Sequence, residues 1–127
     1  MARVLIVDDD ATQLRMLARA MEQEGWDAVS AASRAEALAS FAAGAFDMLL
    51  SDINLGSDDG IRLAQEFRRN RPGLLVVLMS GLPENLARAR DAGFEFCLGK
   101  PFSLAELWAI SRTRRAVSSG RSSPGAR

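Results

Sequence analysis

Arg3-Val4-Leu5-Ile6-Val7-Asp8-Asp9-Asp10 opens the chain with an aliphatic run that ends abruptly in three carboxylates. The run does not alternate apolar with polar, which marks a strand buried on both faces, and such strands belong to parallel sheets covered by crossover helices. Short apolar runs recur at Asp27 to Ser30, Met48 to Ser51, Leu74 to Met79 and Glu95 to Leu98. Helical spacing fills the gaps between them. Leu14, Leu17, Ala18 and Met21 form one apolar stripe before Gly25, and Leu63, Ala64 and Phe67 form another before Pro72-Gly73. Asp10 with Gln13, Ser33 with Glu36 and Ser103 with Glu106 read as capping boxes, while Gly25 and Gly44 are stop signals. Gly81-Leu82-Pro83 leaves room for only a short helix between Glu84 and Ala92. The predicted fold is α/β: a βα unit repeated five times, giving a five-stranded parallel sheet doubly wound by helices on both faces.

Composition narrows the function. The chain has 127 residues, a single-domain length, with 48% hydrophobic and 25% charged residues, and its 16 basic side chains balance 16 acidic ones. That balance argues against intrinsic disorder and against direct nucleic-acid binding driven by net charge. The chain has no histidine, which removes His-based metal sites, Ser-His-Asp triads and histidine pH switching, and the single cysteine, Cys97, has no partner for an internal disulfide. No apolar run approaches the length needed to span a bilayer and no signal cleavage site follows Met1, so a cytoplasmic protein with no membrane partner is expected. The folded domain is expected over residues 1–115. Residues 116–127 are rich in Ser, Gly and Pro and read as a flexible tail or the start of a linker.

The chemistry-bearing residues fall where an open α/β sheet collects them, at the carboxyl ends of the strands. Asp8 and Asp9 follow the first strand, Asp52 the third and Lys100 the fifth, and Ser80 ends the fourth. Fifteen of the 16 basic residues are arginine, so Lys100 is the one lysine kept. Two or three converging carboxylates repel unless a cation lies among them. Oxygen ligands without imidazole or thiolate favour a hard ion, and a small site with open water positions suits Mg²⁺. A carboxylate beside Mg²⁺ and an ammonium is equipped to accept and hold a phosphoryl group, with Ser80 donating a hydrogen bond to it.

At this point the sequence resembles a known family. Val4-Leu5-Ile6-Val7-Asp8-Asp9-Asp10, Asp47 to Leu55, Asp59-Gly60, Val77-Leu78-Met79-Ser80-Gly81, Ala92-Gly93 and Lys100-Pro101-Phe102 match the response-regulator receiver domains of two-component signalling, of which the chemotaxis protein CheY is a member. The match covers residues 3 to about 115. It implies a flavodoxin-like, CheY-like three-layer sandwich with strand order 2-1-3-4-5. It also implies that Asp52 is the phosphoacceptor and that Asp9, Asp52 and the backbone carbonyl of Asn54 bind Mg²⁺, with Asp8 holding metal-bound water. Ser80 takes the place of the switch hydroxyl, Gly81 follows it in the phosphoryl-binding loop, and Lys100 is the phosphoryl-pairing lysine. The implied partners are a sensor histidine kinase or a histidine phosphotransfer protein upstream, and a downstream effector protein or an output domain. A homodimer through the fourth helix, fifth strand and fifth helix is a further implied partnership. Such a domain is a signalling module rather than an enzyme, beyond catalysing its own phosphoryl transfer and dephosphorylation.

Two departures stand out against that family. Gly56 occupies a position where the family usually has proline, which predicts a more mobile loop after Asp52. Cys97 occupies the position of the switch aromatic three residues before the lysine, and neighbouring Phe96 belongs on the opposite face of its strand. Cys97 is expected to be a small packed residue rather than a redox sensor, with no cation beside it to lower its pKa. Asp59 carries a plainer alternative, that it merely caps the third helix. Two other functions compete. A phosphohydrolase of the haloacid-dehalogenase type needs a second acid two residues after its nucleophile, and Asn54 stands there. A receiver-like interaction module would work without phosphorylation.

Overall fold

The structure is a computed structural model that describes the backbone of residues 1–122 and side-chain surroundings through residue 113. Strand β1 (Arg3–Val7) leads into helix α1 (Ala11–Gln23), β2 (Asp27–Ala31), α2 (Arg34–Ala43) and β3 (Met48–Asp52). Short β4 (Asn54–Leu55) and β5 (Asp58–Asp59) precede α3 (Gly60–Asn70), β6 (Leu75–Ser80), α4 (Pro83–Asp91), β7 (Phe96–Gly99) and α5 (Leu104–Ser122). The main sheet has the order β2-β1-β3-β6-β7 with every pair parallel, so the five-stranded doubly wound sheet is as expected from sequence.

Burial explains why the strands lack alternation. Val4 and Ile6 of β1 pack with Met48 and Leu50 of β3, Val77 and Met79 of β6, Leu14, Leu17 and Met21 of α1, and Leu107 of α5. Leu5 and Val7 face the other way, with Leu49, Val76 and Leu78, against Ala37 of α2, Leu63 and Phe67 of α3, and Ala89 of α4. Val4 to Val7, Met48 to Leu50 and Leu75 to Met79 therefore lose water on both faces of the sheet, whereas the edge strands β2 and β7 stay partly exposed. The expected helix caps form. Asp10 accepts from the Thr12 and Gln13 amides, Ser33 Oγ from the Glu36 amide, and Ser103 Oγ from the Glu106 amide. The fourth helix is short, as Pro83 at its start and Gly93 after its end require.

Three boundaries differ from expectation. The sheet ladder runs one residue further at β2, β3, β6 and β7, so Asp52 pairs with Met79 and Ser80 with Gly99 in register. Asp52 and Ser80 are thus strand-terminal residues on a hydrogen-bonded backbone, because the ladder needs only peptide groups and not apolar side chains. The segment after Asp52, expected as a mobile loop, forms an antiparallel hairpin in which Asn54 pairs with Asp59 and Leu55 with Asp58, turning at Gly56 with φ +61°. A two-residue strand has no periodicity to read, and glycine supplies the left-handed turn. Helix α5 continues to Ser122, beyond the boundary expected at residue 115, since no proline intervenes before Pro124. The remainder of the expected tail, residues 123–127, lies outside the described residues.

Gly60 locks the hairpin to the sheet. Its amide donates to Ile53 O at 2.7 Å, and a Cβ built there would sit against the Asp52 carbonyl and 2.9 Å from the Ile53 Cα. Gly60→Ala therefore forces the backbone under Asp52 to move, and it should lower unfolding free energy by about 2–3 kcal/mol in urea titration. Gly73, where nothing lies within 4 Å of an added Cβ, provides the control: Gly73→Ala should cost less than about 0.5 kcal/mol.

Candidate functional site

Parallel strands deliver their carboxyl ends to one edge, and the order β2-β1-β3 leaves a crevice between β1 and β3. Asp8 and Asp9 enter it from β1, Asp52 from β3, and Lys100 reaches it from the turn after β7. Carboxylate oxygens of Asp8, Asp9 and Asp52 lie within 4.8 Å of one another. Lys100 Nζ donates to Asp52 Oδ2 at 3.0 Å and to Asp8 Oδ2 at 3.5 Å. The Lys100-Pro101 bond is cis, and the Lys100 amide donates to Ser80 O at 2.8 Å, tying the turn to the end of β6.

The carboxylates occupy different surroundings. Asp8 is 1% exposed, while Asp9 is open to solvent. Burial pushes the Asp8 carboxyl up from its ordinary pKa, and the Asp52 charge adds to the rise. The Asp10 amide and Lys100 offset only part of it. Burial works against the Lys100 charge, but the hydrogen bond and attraction of Asp52, then of Asp8, outweigh it and raise the Lys100 pKa. Both shifts point the same way. Lys100 is shared between Asp52 and Asp8, while the rise at Asp8 comes first from its burial.

Backbone amides complete the acidic side. Gly56 N–H donates to Asp9 Oδ2 at 3.2 Å, and Asn54 N–H to Asp52 Oδ1 at 3.4 Å. The β4–β5 hairpin thereby leans against the cluster. Asn54 itself is exposed, with its side-chain oxygen accepting from Asn85 Nδ2 at 3.3 Å. Ser80 is buried at the end of β6, and Gly81 after it is exposed with open space around its Cα. The sequence-predicted residues Asp8, Asp9 and Asp52 thus cluster, with Lys100 bonded to Asp8 and Asp52, Ser80 at the end of β6, Gly81 after it and Asn54 in β4. Asp59 caps α3, accepting from Ile61 N–H at 2.9 Å, as its plainer reading held. Asn85, buried on α4 and bonded to both Asn54 and Ser80, was not anticipated. The signal was available as a polar residue on the same inward stripe as Ala89, four residues on.

Comparisons with known proteins identify the family. Residues 4–112 match the family described as response regulator receiver domain. The chain belongs to that family. Within it, this receiver domain is 32% identical over 110 residues to the transcriptional regulatory protein GlrR of Escherichia coli (strain K12), covering 84% of this chain and 24% of that protein. It is 34% identical over 106 residues to the sensor histidine kinase RcsC of Salmonella typhi, covering 82% of this chain and 11% of that protein. The chain therefore spans a small part of these curated relatives. A CheY-like response regulator receiver domain protein from Methanospirillum hungatei JF-1 superimposes with a TM-score of 0.83 at 29% identity, covering 94% of this chain and 98% of that one.

On β7 the receiver places Cys97 and Phe96 on opposite faces of the sheet. Cys97 packs half-buried on the α2-α3-α4 side, with Sγ 3.4 Å from Phe94 O, whereas Phe96 packs on the α1-α5 side. The two neighbours face opposite ways, as strand geometry requires. A cation does stand near the thiol, contrary to expectation: Arg90 on α4 favours the thiolate. Burial outweighs it and pushes the Cys97 pKa up. Burial that raises the thiol pKa also shields Sγ, so Cys97 in the native protein should react with iodoacetamide at pH 7.5 more slowly than in the urea-unfolded chain, measured by mass spectrometry.

Proposed function

We propose that this receiver domain accepts a phosphoryl group on Asp52 from a histidine kinase or a histidine phosphotransfer protein in the cytoplasm. The observation that carries this reading is the Lys100 ammonium bridging Asp52 and Asp8 at the mouth of a three-carboxylate cluster. An Asp52 carboxylate oxygen attacks the phosphorus of a phosphohistidine, the P–N bond breaks, and its electron pair returns to the donor imidazole. These 127 residues contain no histidine, so the donor imidazole lies outside them. Lys100, already on Asp52 Oδ2, supplies positive charge to the incoming phosphoryl oxygens, and Ser80 supplies a hydroxyl hydrogen bond.

The donor set fits Mg²⁺. Asp8, Asp9 and Asp52 offer hard oxygen ligands close together, and the Asn54 carbonyl on the adjoining hairpin is the fourth protein oxygen proposed. Mg²⁺ bound there supplies charge neutralisation between the acceptor carboxylate and the transferred group. The surplus of negative charge around one ammonium is the physical reason the site takes a cation. Phosphorylation then switches a surface read by an effector protein, an output domain or a second copy through α4, β7 and α5. Among the described residues no helix is long and apolar enough to cross a membrane.

Incubation with acetyl phosphate and Mg²⁺ should add one phosphoryl group by intact-mass measurement, and Asp52→Asn should add none. A phosphoryl group on the Asp52→Asn variant sinks the assignment, and an unmodified wild type favours an interaction module that works without phosphorylation. Mg²⁺ alone should raise the melting temperature, because an ion at a hundredfold excess over Kd stabilises the native state by about 2.7 kcal/mol. Asp9→Asn should abolish that rise. An unchanged melting temperature across the wild-type Mg²⁺ titration tells against the metal site.

A further inference from the structure

Helix α4 sends one polar side chain inward. Asn85 is 7% exposed, and its Nδ2 donates to Ser80 Oγ and to Asn54 Oδ1, each at 3.3 Å. Its Oδ1 accepts from Arg88 Nη1 at 3.0 Å. A guanidinium only donates, so this bond determines which end of the amide is oxygen and aims the NH₂ group at Ser80 and Asn54. Arg88 is itself held, with Nη2 2.6 Å from Asp59 Oδ2, and Asp59 caps α3 through its other oxygen. Ser80 Oγ also accepts from Leu82 N–H at 3.0 Å. The hydroxyl oxygen is therefore bonded twice to the start of α4, while Lys100 is bonded to the acidic cluster.

We propose that Asn85, oriented by Arg88 and Asp59, is a positioning residue that holds the Ser80 hydroxyl on helix α4 and so couples the state of Asp52 to that helix. The inference rests on Asp52 being the acceptor. A phosphoryl oxygen carries negative charge and attracts the Ser80 hydroxyl proton more strongly than any neutral acceptor. Turning toward it breaks the Ser80 bonds to Asn85 and Leu82. The freed Asn85 hydrogen is then unpaired in a buried position, which is unfavourable until α4 shifts. Ser80 turned inward and α4 displaced are thus linked, and anything that weakens the Asn85 bond favours both. This route needs no aromatic ring on β7, where Cys97 stands.

Beryllofluoride with excess Mg²⁺ is the probe, titrated calorimetrically into the wild type, Asn85→Ala, Arg88→Met, Ser80→Ala and the Ser80→Ala/Asn85→Ala double variant. Loss of one neutral hydrogen bond from the unliganded state should tighten beryllofluoride binding by Asn85→Ala roughly three- to tenfold. Arg88→Met, a change at a half-exposed side chain that keeps the aliphatic stem, should tighten it in the same direction by a smaller factor. That variant carries the test if Asn85→Ala does not fold. In the Ser80→Ala background Asn85→Ala should change affinity by less than about twofold, which a merely structural role would not require. Unchanged affinity in both single variants, or equal tightening with and without Ser80, overturns the inference while leaving Asp52 as acceptor. A wild type that binds no beryllofluoride overturns both.

Discussion

Everything at the carboxyl edge of the sheet is arranged around mutual repulsion of three carboxylates. Two unit charges at about 4.8 Å repel by about 3–4 kcal/mol at the effective dielectric of a protein surface, before screening at exposed Asp9 reduces it. No local feature of the chain would hold Asp8, Asp9 and Asp52 together against that force. The sheet does so, because β1 and β3 are adjacent and parallel and are buried on both faces by aliphatic side chains. Lys100 neutralises part of the charge, through its bonds to Asp52 and Asp8.

The hairpin after Asp52 shows how backbone geometry serves the same cluster. Gly56 turns with positive φ and presents its amide to Asp9, while Gly60 lets α3 begin in contact with the Asp52 carbonyl. Neither glycine touches the site with a side chain. Both decide where the acidic groups and their amide donors sit. Asp59, between them, serves α3 through one oxygen and Arg88 of α4 through the other, so the hairpin beside Asp52 also reaches α4.

Helix α4 is fastened differently from its neighbours. Leu17 and Met21 anchor α1, and Leu63 and Phe67 anchor α3, whereas α2 buries only Ala37 and α4 only Asn85 and Ala89, the former of these two being polar. A helix with so little apolar burial depends more on hydrogen bonds, which are directional and can be exchanged for stronger ones near a new charge. Among the helices, α4 is the one whose buried polar side chain bonds to the loops around Asp52.

The order of apolar runs and helical stripes was enough to determine the βα repeat, and the position of each acidic residue after its strand was enough to nominate Asp8, Asp9, Asp52 and Lys100. Those features are local in sequence, and parallel topology converts them into proximity without further information. The hairpin at Asn54–Leu55 and Asp58–Asp59, the extra ladder residue under Asp52 and Ser80, and the Arg90 charge beside Cys97 were decided only in three dimensions. Asn85 belongs with them. Its three partners lie five residues before it, thirty-one residues before it and three residues after it, and a hydrogen-bond network of that kind follows from packing distances that no periodicity encodes.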